Sequence, residues 1–289
     1  MRVGWRCGDL VVHRVRRDGF KQGFREGGRP GDLFAGAARF YAAYRRVYPQ
    51  PVVAYMVDEF GLDGRGRLMD GGCGTGQLFL VLARYFHGVF AFDSDEEMVA
   101  LARRAADEHE LSNVIVKTAS AEEIGPGLGT FRLASFAASF HWMDRQLVAE
   151  RVYDLLEPGG YLAVLAPESV HAGTEDWEVF IRELIARWLG PRRRAGSGIY
   201  NPAERHAEAL ARTRFAATIK TAGIFVEETW STDEIVGWLF STSYASHAVL
   251  AEDAVAFERE LRAGLAAIEP SGRFTKTAEH TVISAKRVR

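Results

Sequence analysis

Asp70, Gly72, Gly74 and Gly76 occupy alternate positions where one apolar segment, ending at Met69, gives way to another beginning at Leu78. A glycine loop between a strand and a helix lets the main chain approach a ligand closely and aims free N–H groups at it. The run Gly71-Gly72-Cys73-Gly74-Thr75-Gly76 is too costly in conformational freedom for an idle turn. A P-loop would need Lys and then Ser or Thr after the last glycine, and Gln77-Leu78 follow instead. A dinucleotide fingerprint read from Gly72 meets Gln77 where its third glycine belongs. Asp93 lies 23 positions beyond Asp70 and ends the apolar run Gly88–Phe92. An acid there can accept both hydroxyls of a ribose. His141 follows the run Phe131–Phe140. Open α/β sheets bind ligands at the carboxyl ends of central strands, so His141 is placed to serve as a base on a hydroxyl or amine. A histidine that only shapes the pocket is the competing reading, because sequence does not reveal how a pKa is tuned.

The Asp70-x-Gly72-x-Gly74-x-Gly76 pattern resembles the first motif of the class I S-adenosylmethionine (SAM)-dependent methyltransferases. Tyr41–Pro49 (YAAYRRVYP), Ser139–Trp142 (SFHW), Leu156–Leu162 (LEPGGYL) and Trp230–Ser246 resemble a small-molecule branch that includes the trans-aconitate type. The resemblance implies methyl transfer from SAM to a small-molecule oxygen, nitrogen or carbon nucleophile, mainly by alignment and with base assistance from His141. Gly72, Gly74 and Gly76 would then cradle the methionine part, Asp70 its amino end and Asp93 the ribose. Ser120 and Ala121 stand in Ala119-Ser120-Ala121-Glu122, where relatives read Gly-Asp-Ala-Glu and the Asp contacts adenine. Ser120 is the weaker acceptor. Ser94 stands where relatives place an apolar residue against adenine. In that branch Tyr44, Arg45 and Tyr48 lie over the cofactor and meet its carboxylate or the acceptor, and Trp142 walls the acceptor site. No Asn/Asp-Pro-Pro-Tyr sequence follows the fourth strand, which argues against nucleobase acceptors. No metal is implied. An NAD-dependent oxidoreductase using Asp93, and a non-catalytic SAM-binding protein, remain as alternatives.

The pattern of elements from Arg67 to Leu165 predicts strands alternating with helices. That means a doubly wound, mostly parallel sheet of about seven strands, a Rossmann-like methyltransferase fold. An antiparallel last strand follows from the resemblance alone. Strands are expected at Arg67–Met69, Gly88–Phe92, Asn113–Thr118, Phe131–Phe140, Tyr161–Leu165, Phe225–Trp230 and Thr281–Lys286, with a shorter one at Ala216–Thr221. Helices are expected over Leu33–Tyr48 with Asp32 as N-cap, Val52–Phe60, Leu78–Phe86, Glu96–Glu110, Gln146–Leu156, Asp176–Leu189, Glu204–Arg214, Thr232–Thr242 capped by Thr232, and Glu252–Ile268. Residues 33–289 are read as one methyltransferase domain in which 33–60, 170–214 and 232–268 form a helical cap. Residues 1–32 are read as a flexible extension.

The 289 residues are 47% hydrophobic and carry a formal net charge of −2, which argues against a general affinity for nucleic acid or acidic membranes. The basic stretch Arg14–Asp32 reads as a solvated tail rather than a nucleic-acid arm. Two cysteines, Cys7 and Cys73, suit a reducing cytoplasm, and no zinc spacing occurs. Neither an apolar signal core nor a membrane-length run is visible, so the expected partner is a small molecule and not a membrane.

Overall fold

The computed structural model describes residues 25–26, 33–167, 173–200 and 204–288. Its centre is a seven-stranded sheet. The strands are β1 (Arg67–Gly71), β2 (Gly88–Asp93), β3 (Val114–Thr118), β4 (Phe131–Ala137), β5 (Leu156–Pro167), β6 (Lys220–Ser231) and β7 (Arg273–Lys286). Their spatial order is β3-β2-β1-β4-β5-β7-β6. The first five run parallel, and β7 pairs antiparallel with both β5 and β6. The order reverses at β1, whose two neighbours are β2 and β4. Ligands bind in the crevice beyond the carboxyl ends of strands at such a point.

The helices are α1 (Ala38–Tyr44), α2 (Gln50–Phe60), α3 (Phe79–Leu82), α4 (Glu96–Glu108), α5 (Arg145–Leu155), α6 (Asp176–Leu189), α7 (His206–Leu210), α8 (Thr232–Phe240), α9 (His247–Leu250) and α10 (Ala254–Ile268). Side chains alternate across each strand, so the sheet has two cores. Leu68, Ala91, Leu133, Leu165 and Val282 face α2, α3 and α4. Met69, Phe92, Phe136, Val164 and Ile283 face α5 and α7. A third core joins α6, α8, α9 and α10 around Leu184, Phe240 and Phe257, with Phe40 of α1 against it. The cap is therefore smaller than the sequence suggests: α2 and α7 belong to the layers of the sheet.

Several boundaries move for local reasons. α1 starts at Ala38 because Gly36 is left-handed at φ +68°, and its last helical bond is Arg45 N–H to Tyr41 O, 3.0 Å. Residues 45–49 carry no regular structure, and Pro49 disfavours helix in the residue before it. Asp32, the expected N-cap, lies outside the described residues. The helix expected to reach Phe86 shortens to α3 and a 3₁₀ turn at Ala83–Tyr85, and Asn113 Nδ2 donates to Ala83 O and Phe86 O at 2.9 Å each. β4 ends at Ala137, and Phe140–Trp142 is a 3₁₀ turn. β6 is one continuous strand where two were expected, and Ala216–Thr218 is a 3₁₀ turn. β7 begins at Arg273, eight residues before the expected start, because polar Thr275, Thr277 and Glu279 hide its pattern. Arg194–Ala195 and Gly198–Tyr200 pair as a small antiparallel ribbon, and Arg25–Glu26 adds to it. The rest of the proposed flexible extension lies outside the described residues. No helix among the described residues is long and apolar enough to cross a membrane.

The N-cap of α8 is Ser231 rather than Thr232. Its hydroxyl accepts from Glu234 N–H at 3.2 Å, and the Glu234 carboxylate accepts from Ser231 N–H at 2.8 Å. Ser231→Ala should cost ~0.5–2 kcal/mol in urea unfolding, the range for losing an N-cap, while Thr232→Ala should cost clearly less. Equal losses would contradict this capping arrangement.

Candidate active site

The glycine loop leaves β1 with three left-handed residues, Gly72 at φ +62°, Gly74 at +55° and Gly76 at +107°. Space reinforces that choice. A Cβ on Gly72 would lie 2.5 Å from Cβ of Ser139, whose hydroxyl donates to Gly71 O at 2.8 Å. A Cβ on Gly74 would stand 3.1 Å from the ring of Tyr41. The loop is also tied to β2, since Gly74 N–H donates to Asp93 Oδ2 at 2.9 Å. Asp93 Oδ1 accepts from Asp95 N–H at 3.0 Å.

Asp70 is 1% exposed. Its Oδ1 accepts from the Ser135 hydroxyl at 2.8 Å, while Oδ2 is buried with no partner. Burial pushes its pKa up to about 7; hydrogen bonds from Ser135 and the Phe79 N–H oppose this, and the neighbouring Asp93 charge adds to it. Asp93 is likewise raised, chiefly by burial, against the pull of the Asp95 and Gly74 N–H groups.

Asp70 opens onto a cavity of about 280 Å³ between the loop and the α1–α2 connection. Tyr41, Arg45 and Tyr48 line one side, Ala137 and Ala138 the floor, and β6 and β7 the far wall. Arg45 Nε donates to Ser241 Oγ at 2.8 Å, and its guanidinium sits 5.0 Å from the Tyr41 ring centre and 5.6 Å from that of Trp238. Aromatic faces hold the cation in place while its other donors stay available. Burial raises the Tyr41 and Tyr48 hydroxyl pKa values, so both are neutral donors.

Residues 68–160, from β1 to the first half of β5, match the family described as a methyltransferase domain. Over that stretch the chain is similar to a methyltransferase domain. An uncharacterized methyltransferase-like protein of Schizosaccharomyces pombe is 25% identical over 149 residues, 51% of this chain and 56% of that protein. Protein-L-isoaspartate O-methyltransferase of Rhodopseudomonas palustris is 32% identical over 111 residues, 38% of this chain and 49% of the enzyme. The chain thus spans about half the length of these curated relatives. A putative type II methyltransferase from Anaeromyxobacter dehalogenans shares the fold, with a TM-score of 0.56 at 20% identity over 85% of this chain and 99% of that one.

The expected site residues divide. Asp70, Arg45 and Tyr48 share the cavity, with Gly72, Gly74 and Gly76 in the loop beside it. Tyr44 does not join them; it stacks on Phe40, 6.4 Å between ring centres, and fills the space over Gly237 of α8. Ser120 caps the turn Ala121–Glu123 and donates to Glu122 Oε2 at 2.5 Å, while the Ala121 side chain is buried in the α5 core. His141 lines a second cavity of about 450 Å³ with Arg145, Tyr200 and His206. Thr281 and Ile283 also line it, so it lies on the opposite face of the sheet from Asp70. Burial, with His206, Arg193 and Arg145 nearby, pushes the His141 pKa down to about 3. A group so reluctant to be protonated is a poor general base near neutrality. Trp142 packs between Phe34 and Tyr200 at 6.1 and 5.6 Å.

The sequence reading missed Tyr41 as a site residue, although its place on the α1 face was visible. It also missed Glu228 and His280 on the far wall. No motif marks them.

Because the folded-state pKa of Asp70 is raised above its unfolded value, its buried charge costs stability as pH rises from about 4 through about 7. Asp70→Asn should therefore raise the ligand-free protein's unfolding free energy at pH 8 by ~1–3 kcal/mol, with the gain vanishing near pH 4. Urea titrations at both values would check this, and a pH-independent difference would refute it.

Proposed function

We propose that this chain transfers a methyl group from SAM to a small-molecule acceptor. The observation that carries the reading is the buried, unpartnered Oδ2 of Asp70, a residue that stands at the start of a left-handed glycine loop and lines a cavity shared with Arg45. An orphaned buried carboxylate oxygen is costly unless a donor completes it. The amino group of a methionine moiety is such a donor, and Arg45 suits the carboxylate of the same moiety. A Cβ at Gly72 or Gly74 would crowd Ser139 or Tyr41, so glycine is what keeps the loop in this shape beside the cavity.

Asp93 is the proposed ribose acceptor. Each of its oxygens holds one backbone N–H, and a carboxylate has further lone pairs to offer. Ser120 and Ala121 border the adenine side. Ser120 can contribute there only by giving up its bond to Glu122. Tyr48 is proposed to face the acceptor, and Trp142 and Tyr44 act through packing. SAM supplies an electrophilic methyl on a sulfonium, so the protein's task is alignment, worth ~7–11 kcal/mol when geometry is right. The acceptor is proposed to be a small molecule because the cavity is lined by aromatic side chains with a few polar groups among them.

Calorimetric titration with SAM, S-adenosylhomocysteine (SAH) and NADH tests the reading. Micromolar binding of both adenosyl ligands and none of NADH is expected, and the reverse would replace it with the oxidoreductase alternative. Asp93→Ala should weaken SAH binding by ~1.5–3 kcal/mol, as for lost hydrogen bonds to a charged group. Unchanged affinity would remove Asp93 from the site.

A further inference from the structure

The far wall of the Asp70 cavity carries a hydrogen-bonded pair that the methyl-transfer reading leaves without a task. Glu228 on β6 and His280 on β7 both line the cavity. His280 Nε2 and Glu228 Oε1 stand 3.1 Å apart, and Trp230 Nε1 donates to the other Glu228 oxygen at 3.0 Å. His280 Nδ1 is buried and has no hydrogen-bond partner. The Tyr48 ring lies edge-on to the imidazole, 6.3 Å between centres.

Each feature constrains the next. Bonds from His280 and Trp230 outweigh burial and hold the Glu228 carboxyl below its usual pKa, so it is ionised. An ionised carboxylate can only accept, which places the His280 proton on Nε2 and leaves Nδ1 with a bare lone pair. A buried lone pair of this kind calls for a donor. The same cavity presents aromatic walls, Tyr41, Tyr48, Trp230 and Trp238. Flat apolar walls favour a planar ligand.

We propose that His280, oriented by Glu228, is the base that takes the proton from a ring-borne hydroxyl of the methyl acceptor. This rests on the methyl-transfer reading. The hydroxyl oxygen forms the new O–CH₃ bond as the S–CH₃ bond breaks, and that bond's electron pair stays on sulfur. The hydroxyl proton passes to Nδ1, and Glu228 balances the imidazolium. Other charged or ionisable groups on the same cavity are Lys276, Arg45, Arg46, Glu227, Asp70, Tyr41, Tyr48 and Cys73. Lys276 is bound to Glu178 at 2.8 Å and Arg46 to Glu234 at 2.6 Å, so neither cation is a lone counter-charge for a phenolate.

The test uses the full chain loaded with SAH and 4-nitrophenol as the probe. Absorbance should show the phenol ionising at least one pH unit lower when bound than when free. His280→Gln should abolish that shift, and Glu228→Gln should reduce it, while both keep SAH affinity within threefold. Nitrogen NMR of the unmodified protein, which needs no variant to fold, should show the Nε2–H tautomer of His280 before the phenol is added and a doubly protonated ring afterwards. Failure of the phenol to bind, an unshifted ionisation, the same shift in His280→Gln or an Nδ1–H tautomer would each overturn the proposal. Absence of SAH binding is a separate result, one that removes the methyl-transfer reading itself.

Discussion

The 2.9 Å bond from the Gly74 N–H to Asp93 joins the two elements that everything else at the site depends on. It ties the loop leaving β1 to the end of β2, and it does so with a backbone donor. The loop can accept that restraint because its glycines adopt left-handed angles that a Cβ would strain. The restraint has an electrostatic consequence. Asp93 is drawn toward Asp70, both carboxyls are buried, and burial raises both pKa values. The ligand-free site is therefore held in an unfavourable electrostatic state, which a cationic, hydrogen-bond-donating ligand would relieve.

The cap supplies the opposite charge. Arg45 is carried at the end of α1, and α1 is held by packing of Tyr44 over Gly237. A side chain at position 237 would displace that ring, so a glycine in the middle of α8 serves the close approach of two helices, at a cost in helix propensity. Tyr44 thus matters to the site without facing it. Its role is to let α1 come down far enough for Arg45 to lie between Tyr41 and Trp238.

The central sheet was readable because its strands are short apolar runs between glycines and polar turns, and the Asp70–Gly76 loop was readable because φ > 0 selects glycine. What escaped was of a different physical kind. Glu228 and His280 lie on strands whose polar alternation resembles surface, and their pairing depends on an antiparallel register that no local spacing encodes. β7 was cut short for the same reason. Asp176–Leu189 was read with its bounds correct because its apolar spacing is helical throughout, whereas α1 lost its first turn to the left-handed Gly36. His141 was placed by analogy with strand ends. What that placement could not include was the direction taken by the 3₁₀ turn at Phe140–Trp142.

That direction follows from strand parity. Asp70 pairs with Ser135, Ser135 with Ala163, and Ala163 with Ser284, so these four form a row across the sheet on one face. Along β7, Ser284, Val282 and His280 keep to that face, while Thr281 and Ile283 turn to the other. His280 therefore reaches the Asp70 side by register alone, and a one-residue slip of β7 would exchange it for Thr281. His141 lies past the end of β4, outside any register, and the turn delivers it among Arg145, Tyr200 and His206 on the opposite side. A base for chemistry beside Asp70 is better placed on a strand whose parity is fixed by the sheet than on a turn whose exit can swing to either face. The apolar residues that alternate along β7 bury one face against α2 to α4 and the other against α5 and α7, and that burial is what holds the register in place.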